Sequence, residues 1–89
     1  MPSVDITVTN KLGLHARASA KLTQLSSKYR SDIHIARGSR RVNAKSIMGV
    51  MMLAAGLGSV VTVDAEGEDA VEALEQIELL FANKFGEGD

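Results

Sequence analysis

The stretch Val4–Leu25, VDITVTNKLGLHARASAKLTQL, changes its apolar period once, and that change decides the fold. Val4, Ile6 and Val8 alternate with Asp5, Thr7 and Thr9, the two-residue period of a half-buried strand. From His15 onward the spacing lengthens. Ala18, Leu22, Leu25 and then Tyr29 fall at i, i+4, i+7 and i+11, one face of a helix that runs to about Ser27 or Lys28. A strand and a helix that are each apolar on one side call for a two-layer domain in which one covers the other.

Outward from this segment the same two periods recur. Ile33 and Ile35 alternate, Gly38-Ser39 offers a hairpin turn, and Val42 sits in the returning strand. Ser46 then stands as N-cap to a short helix from Ile47 to about Leu53. The turn Gly56-Leu57-Gly58 leads into a fourth strand, Val60–Ala65. Gly67-Glu68-Asp69 opens the last helix, with Val71, Leu74, Ile77 and Phe81 on one stripe and Glu72, Glu75 and Glu78 elsewhere. The closing FGEGD is expected to fray. The order β-α-β-β-α-β-α predicts an α+β domain: a four-stranded, mostly antiparallel sheet with three helices on one face. Ile47–Val63 is 17 residues without a charge, short of the roughly 20 a membrane span needs, and Gly56, Gly58 and Ser59 interrupt it. A helix, a turn and a buried strand fit it better than membrane insertion.

With 89 residues there is room for one domain, 1–89, and a modest core. A composition of 45% hydrophobic and 24% charged residues is that of a folded globular chain, not a disordered one. There are no cysteines, and MPSVDITVTN contains no continuous apolar run of the secretory kind. Cytoplasm is the expected location. The net charge of −1 hides an asymmetry: residues 1–45 hold nine Lys/Arg against two acids, and residues 46–89 hold one lysine against nine acids. Such a split suits an anionic ligand or acidic partner on the basic side, or else two solvated faces that neutralise one another. A nucleic-acid-binding module is disfavoured, because Tyr29, Phe81 and Phe85 occupy core positions and leave no stacking platform. Nor is a metal site indicated, since His15 and His34 lack paired ligand spacing and His34 reads as an exposed strand residue.

The start of the first helix breaks a local rule. No Asp or Glu occurs between Lys11 and Ser31, although acids in a first turn stabilise a helix, and Arg17 opposes the dipole there. Violations of this kind mark functional sites. A bound anion would compensate: the backbone N–H groups of Ala16 and Arg17 would face whatever sits on His15, and the guanidinium would add charge-assisted hydrogen bonds to phosphate oxygens. A helix start also disfavours imidazolium and then favours the negative charge of an attached phosphoryl group. The plainer alternative makes His15 a substitute N-cap and Arg17 a solvated charge. In the short helix, Ile47, Met48, Met51 and Met52 recur at i, i+1, i+4 and i+5, while Val50, Leu53 and Ala54 fill the other side. A helix apolar all round should be largely buried. In a two-layer domain one side still faces outward, and methionine adapts to several partner surfaces.

Gly13-Leu14-His15-Ala16-Arg17, followed about 30 residues later by Asn43-Ala44-Lys45-Ser46-Ile47-Met48-Gly49-Val50-Met51, resembles the HPr family, the histidine phosphocarriers of the bacterial phosphoenolpyruvate:sugar phosphotransferase system. The resemblance extends over essentially the whole chain. It implies an open-faced β-sandwich and a monomeric carrier, not an enzyme, that needs no cofactor. His15 would take a phosphoryl group on Nδ1 from enzyme I and pass it to IIA domains, with Arg17 steadying the phosphate. Ser46 would match the serine modified by HPr kinase/phosphorylase in carbon catabolite regulation, and Ile47, Met48, Met51 and Met52 the apolar patch that partners cover. Ala18 stands where many members have proline, and Leu12 where many have a polar residue. A nitrogen-branch regulatory carrier shares the Gly-Leu-His-Ala-Arg core, and Asn10-Lys11-Leu12-Gly13 leans that way, whereas Lys45–Val50 leans toward the kinase-regulated type.

Overall fold

The structure, a computed structural model, describes residues 1–87. The elements run β1 (Ser3–Thr7), α1 (Ala16–Ser26), β2 (Asp32–Arg37), β3 (Arg40–Asn43), α2 (Ile47–Met51), β4 (Val60–Glu66) and α3 (Ala70–Ala82), followed by one 3-10 turn at Lys84–Gly86. The strands form a single sheet in the order β1-β4-β2-β3, with every neighbouring pair antiparallel. Val4 lies opposite Val63 and Ile6 opposite Val61, while Ile35 sits between Val63 and Val42, so the two-residue periods of all four strands agree in register. Their shared face is buried under Ala18 and Leu22 of α1, Val50 of α2, and Leu74, Ile77 and Phe81 of α3. The other face stays open and polar. There Thr62 Oγ1 donates to Asp5 Oδ1 at 2.7 Å, and Arg41 forks onto the Asp64 carboxylate at 3.1 and 2.8 Å. His34 sits half-exposed on this face, 3.9 Å from Asp64. The molecule is thus an open-faced α+β sandwich.

Three details depart from the periodicity. Val71 is 64% exposed. The core stripe of α3 is Ala70, Ala73, Leu74, Ile77 and Phe81, and Val71 lies one residue round the helix from it. Helix α2 stops at Met51, short of Leu53. Ala54 is exposed with φ 51°, so it does not fill the inner side with Val50 and Leu53. Nor does FGEGD fray where it is described: Phe85 is buried and meets Phe81 edge-on, with ring centroids 4.8 Å apart. Gly88 and Asp89 lie outside the described residues.

Two glycines allow backbone to lie on backbone. At Gly67 (φ 147°) a Cβ would fall 2.8 Å from Ser31 Cα, which brings the α1–β2 and β4–α3 connections together. Asp69 ties the same junction. It precedes α3 yet makes no side-chain cap bond; its carboxylate instead accepts the Arg30 N–H at 2.9 Å, the Ser31 N–H at 3.0 Å and the Ser31 hydroxyl. At Gly13 (φ 66°) a Cβ would fall 2.5 Å from Ala55 O and 2.7 Å from Gly56 Cα, and beside it Leu14 N–H donates to Ala55 O at 2.8 Å. The β1–α1 loop therefore rests directly on the loop after α2.

Two measurements check these junctions. Gly13→Ala is expected to destabilise the domain by about 1–3 kcal/mol, read as a lower thermal midpoint, because the new Cβ meets main chain that cannot move aside. The Ser31 hydroxyl first, then the Arg30 N–H, hold the Asp69 carboxyl below its ordinary value of 3.8. A depressed carboxyl contributes stability above its unfolded pKa that is lost as pH falls through the folded one. Urea midpoints of wild type and Asp69→Asn should therefore differ at neutral pH and converge as pH drops below 3.8.

Candidate functional site

His15 occupies the N-cap position of α1 (φ −77°, ψ −177°), but its side chain makes no cap bond. Its neighbours hold the loop instead. Buried Ser19 donates its hydroxyl to Leu14 O at 3.0 Å, its N–H bonds His15 O at 2.8 Å, and buried Asn10 donates Nδ2 to Gly13 O at 2.8 Å. The imidazole is left for other work. It is 29% exposed, with Nδ1 3.0 Å from Gly13 O and Nε2 3.1 Å from Glu87 Oε2. A shallow depression beside it is lined by Lys11, Leu12, His15, Ala16, Arg17 and Glu87.

Ala16 and Arg17 form the exposed first turn, whose N–H groups have no acceptor within the helix, and no acid occurs there. Among the described residues the Arg17 side chain makes no hydrogen bond or ion pair. A half-open imidazole, first-turn N–H groups with no acceptor in the helix and a guanidinium without a bond among the described residues together suit a small multivalent anion, such as a phosphoryl group held next to the ring.

Helix α2 packs on α1, so the two sequence motifs lie on neighbouring helices. Ser46 is its N-cap, half-buried, with Oγ accepting the Gly49 N–H at 3.1 Å. The helix divides sharply: Val50 is fully buried, whereas Met48 is 70% and Met52 60% exposed and Ile47 and Met51 are also outward. Leu12, which sequence reasoning noted only as a departure, is 65% exposed and adds an apolar side chain to the depression beside His15. Arg37 donates to Leu53 O and Ala54 O, and Arg40 to Met52 O, so the β2–β3 hairpin holds the end of α2. Neither arginine was singled out from the sequence. Glu87 was missed as well; the signal available was Phe85 four residues after Phe81, which continues a helical core stripe into the supposed fray.

Residues 2–83 match the family model described as the PTS HPr component phosphorylation site. The chain is 59% identical to the phosphocarrier protein HPr of Cupriavidus necator over 85 residues, 96% of both chains. It is 43% identical to the phosphocarrier protein NPr of Shewanella violacea, over 93% of this chain and 91% of that one. A crystal structure of HPr from Thermoanaerobacter tengcongensis superposes with a TM-score of 0.95 at 46% identity, covering 98% of each chain. With the matched phosphorylation-site model, the family-wide identity and the superposed fold, the chain belongs to the HPr family of phosphocarrier proteins of the phosphotransferase system.

Proposed function

We propose that His15 is the phosphoryl acceptor, taking the group on Nδ1 from phosphorylated enzyme I and handing it to IIA domains. The observation that carries this is the placing of His15: an N-cap residue whose ring is excused from capping, beside a helical first turn that holds no acid and an Arg17 side chain that makes no hydrogen bond or ion pair among the described residues. In the transfer the Nδ1 lone pair forms the new N–P bond as the donor's N–P bond breaks and its electron pair returns to the donor ring. The protein's part is positioning and charge. Arg17 bonds the peripheral oxygens of the moving phosphoryl group, and the N–H groups of Ala16 and Arg17 receive it at the helix end. Ile47, Met48, Met51 and Met52 form the apolar ground on which successive partners settle, a task methionine suits because it repacks easily.

Ser46 is the regulatory position, modified by HPr kinase/phosphorylase. A phosphate there would keep an acceptor near the Gly49 N–H, so the helix has no reason to melt. The cost falls on docking. A dianion would stand next to Ile47 and Met48, and Lys45 is already engaged, its Nζ donating to Tyr29 O at 2.8 Å. Burying that charge against an apolar or acidic partner is unfavourable without a cation to pair it. The NPr relative keeps a second role open for comparison, a regulatory nitrogen-branch carrier that uses the same His15 chemistry.

Incubation with enzyme I and labelled phosphoenolpyruvate tests the acceptor. Wild type should gain an acid-labile, alkali-stable label, His15→Ala none, and the exposed Arg17→Glu should stay folded while transferring about 100-fold more slowly. Labelled His15→Ala would refute the assignment. For Ser46→Asp, an equal or slightly higher thermal midpoint is expected together with acceptance slowed by about tenfold, the ~1.4 kcal/mol cost of one badly matched interfacial charge. An unfolded variant, or an untouched rate, would reduce Ser46 to an N-cap alone.

A further inference from the structure

We propose that Met48, Met51 and Met52 form a reversible oxidation site: hydrogen peroxide converts their thioethers to sulfoxides, which weakens the docking of partners on α2 while the fold and His15 stay intact. The proposal rests on the reading of this face as the ground on which enzyme I settles. Three observations converge on it.

The first is where the sulfur lies. The chain has four methionines and no cysteine, so thioethers are its only oxidisable sulfur. None of them is in the core, which is built from Ile, Val, Leu, Ala and Phe. Met48 is 70%, Met52 60% and Met51 42% exposed, and the fourth, Met1, stands at the start of the chain. Three of the four thus open onto one short segment, at the i, i+3 and i+4 spacing of neighbours on a helix surface.

The second is that α2 is seated without them. Val50 and Leu53 bury its inner side, Ser46 Oγ accepts the Gly49 N–H, and Arg40 and Arg37 hold the carbonyls of Met52, Leu53 and Ala54. An oxygen added to an outward thioether leaves each of these contacts as it was. The third is a landing place for the product. Met52 shares one depression with Arg37 and Arg40, and the bonds of both guanidiniums to the α2 carbonyls run through Nη1. A guanidinium has five N–H donors, so donors remain for a sulfoxide oxygen, an acceptor far stronger than thioether sulfur.

The chemistry balances with peroxide as the oxidant. A sulfur lone pair forms the S–O bond as the O–O bond of hydrogen peroxide breaks; sulfur gives up two electrons and the peroxide leaves as water. In the return step two thiols of a sulfoxide reductase supply two electrons, close to a disulfide and release the oxygen as water. The product is a polar group in the middle of an apolar docking face. Covering it with an apolar partner surface leaves a desolvated acceptor unpaired, so the cost falls on association. None of the three methionines lines the depression beside His15, so the transfer step itself is spared.

Peroxide treatment of the unphosphorylated full chain, followed by peptide mass spectrometry, tests the site with no donor present. Sulfoxide should appear at Met48 and Met52 ahead of Met51, with the thermal midpoint unchanged. With phosphorylated enzyme I, the oxidised chain should show a KM raised about tenfold and an unchanged rate at saturating donor, and the two epimer-specific methionine sulfoxide reductases should return KM to its starting value. The triple variant Met48→Leu, Met51→Leu, Met52→Leu should show the same KM before and after peroxide. A segment that stays unoxidised while Met1 oxidises, a KM that does not move, or a midpoint that falls overturns the proposal. An equal peroxide effect in the triple variant also overturns it, since the damage would then lie elsewhere. Untreated wild type that takes no phosphoryl group overturns the carrier reading and this proposal together; untreated wild type that labels normally and is matched by the oxidised chain overturns the methionine switch alone.

Discussion

The apolar face of a four-stranded antiparallel sheet has to be covered, and almost every other feature of this chain is a consequence of how that is done. Ile33, Ile35, Val61 and Val63 lie fully or almost fully buried on that face, and α1 and α3 cover it with Leu22, Ile77 and Phe81. Alpha-helix α1 can present Ala18 and Leu22 inward in only one rotational setting, and that setting leaves Ala16 and Arg17 in solvent. Burial therefore orients the first turn before any ligand is considered. The site proposed for phosphoryl chemistry is the end of a helix whose long axis is set by packing.

Loops complete what the layers begin. Gly13 lies on Ala55 and Gly56, and Leu14 bonds Ala55, so the residue before the helix is held by a connection that follows α2. The helix just before that connection carries the exposed methionine surface. A partner that settles on Met48 and Met52 therefore touches a surface rigidly joined to the histidine loop. Arg37 and Arg40 extend that rigidity by holding the carbonyls from Met52 to Ala54. The surface proposed for recognition and the site proposed for chemistry thus share one framework without sharing residues.

Much of this was legible in the chain. Val4, Ile6 and Val8 announce a strand, and Ala18 and Leu22 a helix, because each period reports a face that must be buried. His15, Arg17 and Ser46 stand out because each concerns a helix end, where rules are local and residue-specific. What escaped depends on contacts between distant segments. Glu87 bonds Asn10 across 77 positions, and no local pattern encodes that. The reversal that delivers it runs through Lys84 and Phe85, neither of which is a residue type that signals a left-handed backbone. Val71 was misassigned for a smaller reason: its spacing from Leu74 fits a stripe, but Ala70 and Ala73 occupy that face instead, and small residues leave little trace in a hydrophobic pattern.

The strand order has a consequence for how the molecule comes into being. β2 and β3 close on each other through a two-residue turn, but β1 pairs with β4, placing Ser3 opposite Asp64. Short loops close at little entropic cost and long ones late. During synthesis the hairpin can form at once, while the first strand, already made, waits for a mate some sixty positions behind it. Leu14 waits similarly for Ala55. The segment that bears the histidine is thus made well before the residues that seat it, and its apolar side, Val4, Ile6 and Leu14, needs shelter until β4 arrives.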